Sequence, residues 1–321
     1  MTTSPAHLRF QKQLESSIGY LNSSEAQRSL DNDPYWPKWN NPWWHMTLMW
    51  ELGAASSIPT SARDRLLTAL QKQYIHFFPL TEAEVPAGVD PISGIMCHCG
   101  LGTAYQILRT TGVDVDAKLP WVREWFVKYQ LPDGGWNCDE TAYTRAQPKS
   151  SVVSTLPVLE SLLAISDRSP EETNALDAGA EYLVKRRLVH SLTTGEVINE
   201  DWLRLTFPRF YEYDVLRGLS FCIEWAAQRG KQLPGTSIEA ACRVVENKTV
   251  VIDGSAGLPV ERQFHKNCDT RVKDELGNWS KRPSSEFPLL RWTSQVGEIS
   301  PTLTHIWKRS LATLQLHHRY D

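Results

Sequence analysis

The sequence predicts an all-α protein, an (α/α) toroid of about five or six helical hairpins. Three observations predict it. Apolar residues recur at helical spacing along nearly the whole chain. Helices with one apolar face alternate with helices that are apolar nearly all round. The all-round helices start near Trp44, Cys97, Ser151 and Tyr211, which are 53, 54 and 60 residues apart, a loose repeat of hairpins. A helix apolar on every side is buried on every side. An inner ring of such helices within an outer ring of one-sided ones satisfies the pattern. An open superhelical stack also repeats hairpins, but it leaves one face of each helix wet.

The elements follow in order. Residues 42–55 (PWWHMTLMWELGAA) read as the first all-round helix. Residues 62–78 place Leu66, Leu67, Leu70, Tyr74, Phe77 and Phe78 on one stripe. Residues 94–109 are almost free of charge and form the second all-round helix. An aromatic-rich helix begins at Trp121 and ends at Gln130. Residues 151–165 and 208–227 are the third and fourth all-round helices. Residues 175–188 are one-sided through Leu176, Ala180, Leu183 and Val184, and residues 301–316 through Leu303, Ile306, Trp307, Leu311 and Leu314. Proline and glycine punctuate the joints, among them Pro42, Pro91, Pro120, Pro132, Gly134, Gly135 and Pro208. Residues 249–284 are the least helical stretch: a functional or mobile insertion, or one that contains a short hairpin. No linker separates two domains, so a single toroid over 1–321 is expected.

Composition narrows the function. Of 321 residues, 41% are hydrophobic and 22% charged, the balance of a globular protein. The net charge of -3 argues against a general electrostatic grip on nucleic acid or acidic lipid. Thirteen tryptophans demand a large core, a greasy cavity, or both. Met1–Phe10 holds no apolar stretch and no run nears 18 apolar residues, so neither a secretory signal nor a membrane span is expected. Cys97, Cys99, Cys138, Cys222, Cys242 and Cys268 are too sparse for a disulfide scaffold. They read as free thiols at a cytoplasmic address. Cys97 and Cys99 are not expected to meet, because residues two apart on a regular helix point in different directions.

Gln130, Gly134 and Trp136 form a Q-x-x-x-G-x-W pattern. It resembles the repeat of squalene-hopene and oxidosqualene cyclases, shared more loosely with protein prenyltransferase β subunits. The resemblance implies a toroid in which this motif ties outer helices to inner ones. It also implies a hydrophobic substrate, such as an isoprenoid. Asn137-Cys138-Asp139-Glu140-Thr141-Ala142 is similar to a degraded D-x-D-D-T-A, the acid motif of class II terpene cyclases. Asp139 would then be the acid that protonates an alkene or epoxide, shielded from water, with Glu140, His98 and Asp214 assisting. Read without the resemblance, the same stretch is an exposed turn whose Asp139 or Glu140 caps the next helix. The cyclases use two helical domains and this chain has the length of about one. The site would lie inside one toroid or at the interface of a homodimer.

A second constellation joins thiols and imidazoles. Cys97-His98-Cys99-Gly100 opens one inner helix, Cys138 precedes the next, and His265 and Cys268 lie in the irregular segment. In a toroid, the leading ends of inner helices gather at one rim. Thiolate, imidazole and carboxylate are the ligand set of zinc. Prenyltransferase β subunits hold zinc at such a rim, and lanthionine cyclases do so with a Cys-His-Gly run that Cys97–Gly100 resembles. Zinc ligands would be Cys97, Cys138, His265 and Cys268, with Asp139 and His98 as further donors. The other reading is a metal-free polar cluster with His98 as a hydrogen-bonded core group. Asp214 and Arg217, three apart, form either an ion pair or an anchor for an anionic substrate group such as a diphosphate. Trp44, His45, Trp136 and Tyr211 are core rings or the lining of a substrate pocket. G-x-S-x-G, Walker A and Rossmann motifs do not occur. A non-catalytic toroid that binds a lipid or a partner protein is the alternative to an enzyme.

Overall fold

The structure, a computed structural model, describes residues 5–36, 39, 41–263 and 269–317. The chain is predominantly helical, with 54% of it in helix. In order, the described helices are α1 (Pro5–Leu21), α2 (Ser24–Asn32), α3 (Pro42–Glu51), α4 (Thr60–Lys72), α5 (His98–Thr110), α6 (Val115–Lys118), α7 (Trp121–Lys128), α8 (Val152–Ala164) and α9 (Pro170–Lys185). There follow α10 (Val215–Arg229), α11 (Gly235–Glu246), α12 (Pro288–Thr293) and α13 (Pro301–His317). Two antiparallel hairpins interrupt them, β1 (Val250–Ile252) with β2 (Ser255–Gly257) and β3 (Asp269–Lys273) with β4 (Trp279–Pro283).

These strands correct the all-α expectation, and their physical cause is local. Val250-Val251-Ile252 is a β-branched run, and Asp253-Gly254 behind it turn the chain at φ 49° and 75°. The register pairs Val250 with Gly257 and Asp269 with Pro283.

The chain divides into two compact units. The first comprises Met1–Met96, Ala104–Val122 and Phe264–Gln295; the second comprises Cys97–Thr103, Arg123–Gln263 and Val296–Asp321. In the first, α3 is buried almost throughout, including Trp43, Trp44, His45, Met46, Leu48 and Met49. Asn41 caps it by accepting from Trp43 N at 2.9 Å, with Pro42 in the first turn. Its neighbour α4 buries one face only, through Ala62, Leu66, Ala69 and Leu70. The expected helix over 62–78 stops at Lys72. Pro79 disfavours a helical Phe78, and Tyr74 turns inward to donate to Asp33 at 3.0 Å.

In the second unit, α8 and α10 are the deeply buried helices. Ser151 caps α8, and α9 opens with a full capping box between Ser169 and Glu172 behind Pro170. The first turn of α5 lies against α8 at Gly102, where a Cβ would stand 2.6 Å from the Pro157 carbonyl oxygen. Ser161 Oγ closes this approach by donating to Gly102 O at 2.7 Å.

The fourth all-round helix begins at Val215 and not near Pro208. Phe210 stands at φ 51°, which a right-handed helix does not admit, and Asp214 caps α10 by accepting from Arg217 N at 2.8 Å. The turn carrying Gln130 and Trp136 is a tie between helices. Gln130 Nε2 donates to Gly134 O and to Ala175 O on α9, both at 2.7 Å. Trp136 is wholly buried; its indole donates to Phe126 O on α7, and its backbone amide donates to Thr155 Oγ1 on α8.

Candidate metal centre

The second unit gathers three sulfurs at the start of α5. Cys97 lies one residue outside the helix, in the capping position, and the Gly100 amide donates to its Sγ at 3.4 Å. From there its side chain folds back toward Cys99, the two sulfurs being 3.3 Å apart. This corrects the expectation that the pair diverges: that argument holds only for two residues inside the helix. Cys138 arrives from the turn after Trp136, and its Sγ stands 3.6 Å from that of Cys99. All three sulfurs lie within 4.8 Å of one another. Cys99 is buried, and Cys97 and Cys138 are half-buried.

The backs of these residues are tied down. The Cys138 amide donates to Ser154 Oγ in the first turn of α8 at 3.1 Å. Asn137 Nδ2 donates to Lys149 O at 2.8 Å, and Ser151 N donates to Trp136 O at 2.8 Å. Thr103 Oγ1 donates to Cys99 O at 2.9 Å, one turn into α5. Hydrogen bonding to Cys138 and Cys97, added to burial, pushes the Cys99 thiol well above the ordinary range. The neighbouring Cys97 thiol, with burial, pushes Cys138 up to about 12. A cation among these sulfurs would reverse that preference, because only thiolates coordinate.

His98 sits behind the sulfurs and is held by other partners. Trp125 Nε1 donates to its Nδ1 at 2.8 Å. An indole only donates, so Nδ1 carries no hydrogen and Nε2 does. Nε2 then donates to the Tyr143 hydroxyl at 2.9 Å, which passes its own hydrogen to Tyr129 O at 2.9 Å. Complete burial lowers the imidazole pKa to about 3, so the ring stays neutral. Both ring nitrogens are occupied by these bonds, and His98 is a core group rather than a ligand.

The carboxylates expected at the site stand elsewhere. Asp139 caps a short 3-10 turn, accepting from Thr141 N at 3.0 Å and Thr141 Oγ1 at 2.7 Å. Its side chain is 52% exposed, with Arg145 at 3.8 Å. Glu140 is exposed as well. A proton donor for an alkene must be shielded, and Asp139 stands open to solvent. Asp214 is buried, accepts from Thr206 N at 2.9 Å and Arg217 N at 2.8 Å, and has its pKa raised by desolvation. Arg217 is 1% exposed and pairs with Glu160 of α8 through two bonds of 2.9 and 2.6 Å. It also donates to Phe210 O and Glu212 O, so it is spent on the fold and not held out to an anion. Tyr211 is half-buried beside them in sequence.

Trp44 and His45 belong to the core of the first unit. Trp44 packs on Trp39 at 4.4 Å, and His45 stacks on Phe287 at 3.6 Å with Nδ1 bonded to Ser17 Oγ at 3.1 Å. His265 and Cys268 lie outside the described residues. The sequence reading missed Cys99 as a third donor, Ser154 as the support of Cys138, and Glu160 as the partner of Arg217. No local signal marks Cys99 as a donor, because its meeting with Cys97 depends on Cys97 lying just outside the helix.

Neither a protein-family model, nor a curated protein, nor a solved structure matches this chain.

Proposed function

We propose that the chain is a metal-dependent enzyme of the helical toroid kind, with a zinc ion held by Cys97, Cys99 and Cys138. The convergence of three sulfurs from two segments about 40 residues apart carries this reading. Sulfur–zinc bonds of about 2.3 Å put tetrahedral sulfurs about 3.8 Å from each other. The separations of 3.3 and 3.6 Å, with all three inside 4.8 Å, need little adjustment to reach that. Among the described residues the set offers three donors, and three protein donors that leave a fourth position to water or substrate are the pattern of a catalytic zinc site. Bound there, zinc supplies Lewis-acid activation of a substrate thiolate or a water.

The chain's own residues do the positioning. The Gly100 amide and the α5 N-terminus favour negative charge on Cys97. Ser154 fixes Cys138 from behind. The His98–Trp125–Tyr143 cluster gives the sulfurs a rigid, neutral floor. The alternation of buried helices (α3, α5, α8, α10) with one-sided ones (α4, α9, α13) supports the ring architecture. The resemblance of Gln130–Trp136 to the cyclase and prenyltransferase repeat supports it too, and with it a hydrophobic substrate. The proton-donor role of Asp139 has no such support, because that residue caps an exposed turn.

Metal analysis of the purified chain tests the reading. One zinc per chain is expected, lost in Cys99→Ser and retained in Asp139→Asn. A folded chain that takes up no zinc when titrated with it would refute the proposal.

A further inference from the structure

The three sulfurs differ in access, and that difference assigns them roles in a second chemistry. Cys97 and Cys138 are half-buried, whereas Cys99 is buried between them. The Cys97 and Cys99 sulfurs are 3.3 Å apart, against 3.6 Å for Cys138 and Cys99. Residues two apart also keep their Cα atoms close to the span that a disulfide bridges. Cys97 has the Gly100 amide on its sulfur and the opening of α5 beneath it, the setting in which thiols react. Cys222, by contrast, is buried inside α10, and no other cysteine sulfur is bonded to it among the described residues.

We propose that Cys97 and Cys99 form an intrachain disulfide when the chain meets a peroxide, with Cys97 the attacked thiol and Cys99 the resolving one. The inference rests on the same three-sulfur site as the metal reading, but its first step needs no metal. Cys97 sulfur takes one peroxide oxygen to become a sulfenic acid. The O–O bond breaks, and the other oxygen leaves as water with the proton Cys97 has lost. Cys99 sulfur then attacks the sulfenic sulfur. The S–S bond forms, the S–O bond breaks, and the departing hydroxide takes the Cys99 proton to become a second water. Two thiols lose two electrons and two protons, and one peroxide becomes two waters. Cys138, 3.6 Å from Cys99, is the thiol left over. A zinc ion that had three sulfur donors then keeps one and is released. The site would therefore exchange a metal-holding state for an oxidised, metal-free one, reversible by a dithiol.

Hydrogen peroxide added to the purified chain, followed by peptide mapping, tests this. Cys97 and Cys99 share one tryptic peptide that carries no other cysteine. The expected result is that this peptide becomes lighter by two hydrogens, returns to its original mass with dithiothreitol, and does so equally in Cys138→Ser. Cys222 and Cys242 should remain reduced. In zinc-loaded chain a chromophoric chelator should register release in step with the mass change. A peptide that stays reduced, or goes only to sulfinic acid, overturns the proposal. Zinc uptake without the disulfide leaves the metal reading standing and this one refuted; the disulfide in a chain that never binds zinc does the reverse.

Discussion

Each unit of this protein buries a histidine among aromatic rings, and the two surroundings differ instructively. In the first unit His45 lies between Tyr20 and Phe287, with ring centroids at 4.5 and 3.6 Å, and one hydrogen bond reaches Ser17. In the second, His98 has directional partners on both ring nitrogens, Trp125 and Tyr143. Burial lowers both pKa values to about 3. Both imidazoles are neutral and fixed, yet among the described residues a set of potential ligands stands beside only one of them. Burial and aromatic packing settle protonation and position. What makes a candidate centre is a group of like side chains whose backs are bonded and whose front is half-exposed, as in the three thiols. The first unit spends its rings on each other: Trp39 on Trp44, and Trp36 on Trp279 at 5.3 Å. The second spends its polar groups on fixing loops, through Arg217 with Glu160 and Asp214 with Thr206.

The largest effect expected from that contrast is in the second unit. Glu160→Gln leaves a guanidinium that is 1% exposed without its counter-charge, which costs about 3 kcal/mol or more of stability. Urea denaturation reads it. A loss under about 1 kcal/mol would mean that the carbonyls of Phe210 and Glu212 suffice, and that the second unit is no more ionic in construction than the first.

A smaller effect separates the histidines. Each has a folded pKa of about 3, against about 6.5 when unfolded. The unfolded chain therefore binds more protons between those values, and stability falls as pH drops through that window. Above about pH 6.5 the two rings contribute no pH dependence; at pH 5 each costs about 2 kcal/mol. His45→Phe should remove the first ring's share of the acid slope, about 2 kcal/mol of the stability lost by pH 5. An unchanged slope would show that the first unit's ring is protonated or exposed, and the comparison would fail there.

How much of this was legible beforehand depends on whether the cause was local. The buried helices α3, α5, α8 and α10 are visible in sequence because burial on every side demands apolarity on every side. Asp253-Gly254 behind Val250-Val251-Ile252 carries a hairpin signal, so the strands were readable from turn chemistry. The boundary of α5 was less so. One residue decides whether Cys97 points along the helix or caps it, and helix ends are set by competing weak preferences. Cys138 and Ser154 meet through a turn closed by Trp136 and Ser151, a tertiary event that spacing does not encode. Arg217 is three residues from Asp214 but ion-pairs with Glu160, 57 residues away, because the two helices pack and Asp214 is occupied with backbone amides. The alkene-protonating reading of Asp139 came from a motif, and a motif carries no information about solvent.

The central claim is that Cys97, Cys99 and Cys138 act as one ligand set. Titrating the reduced chain with cobalt(II), and following thiolate-to-cobalt charge-transfer absorption, tests it most directly. The account predicts saturation at one cobalt per chain, displacement by zinc, and loss of most of the absorption in each of Cys97→Ser, Cys99→Ser and Cys138→Ser, but not in Cys222→Ser. Absorption that never appears, or that survives the loss of Cys99, would contradict it.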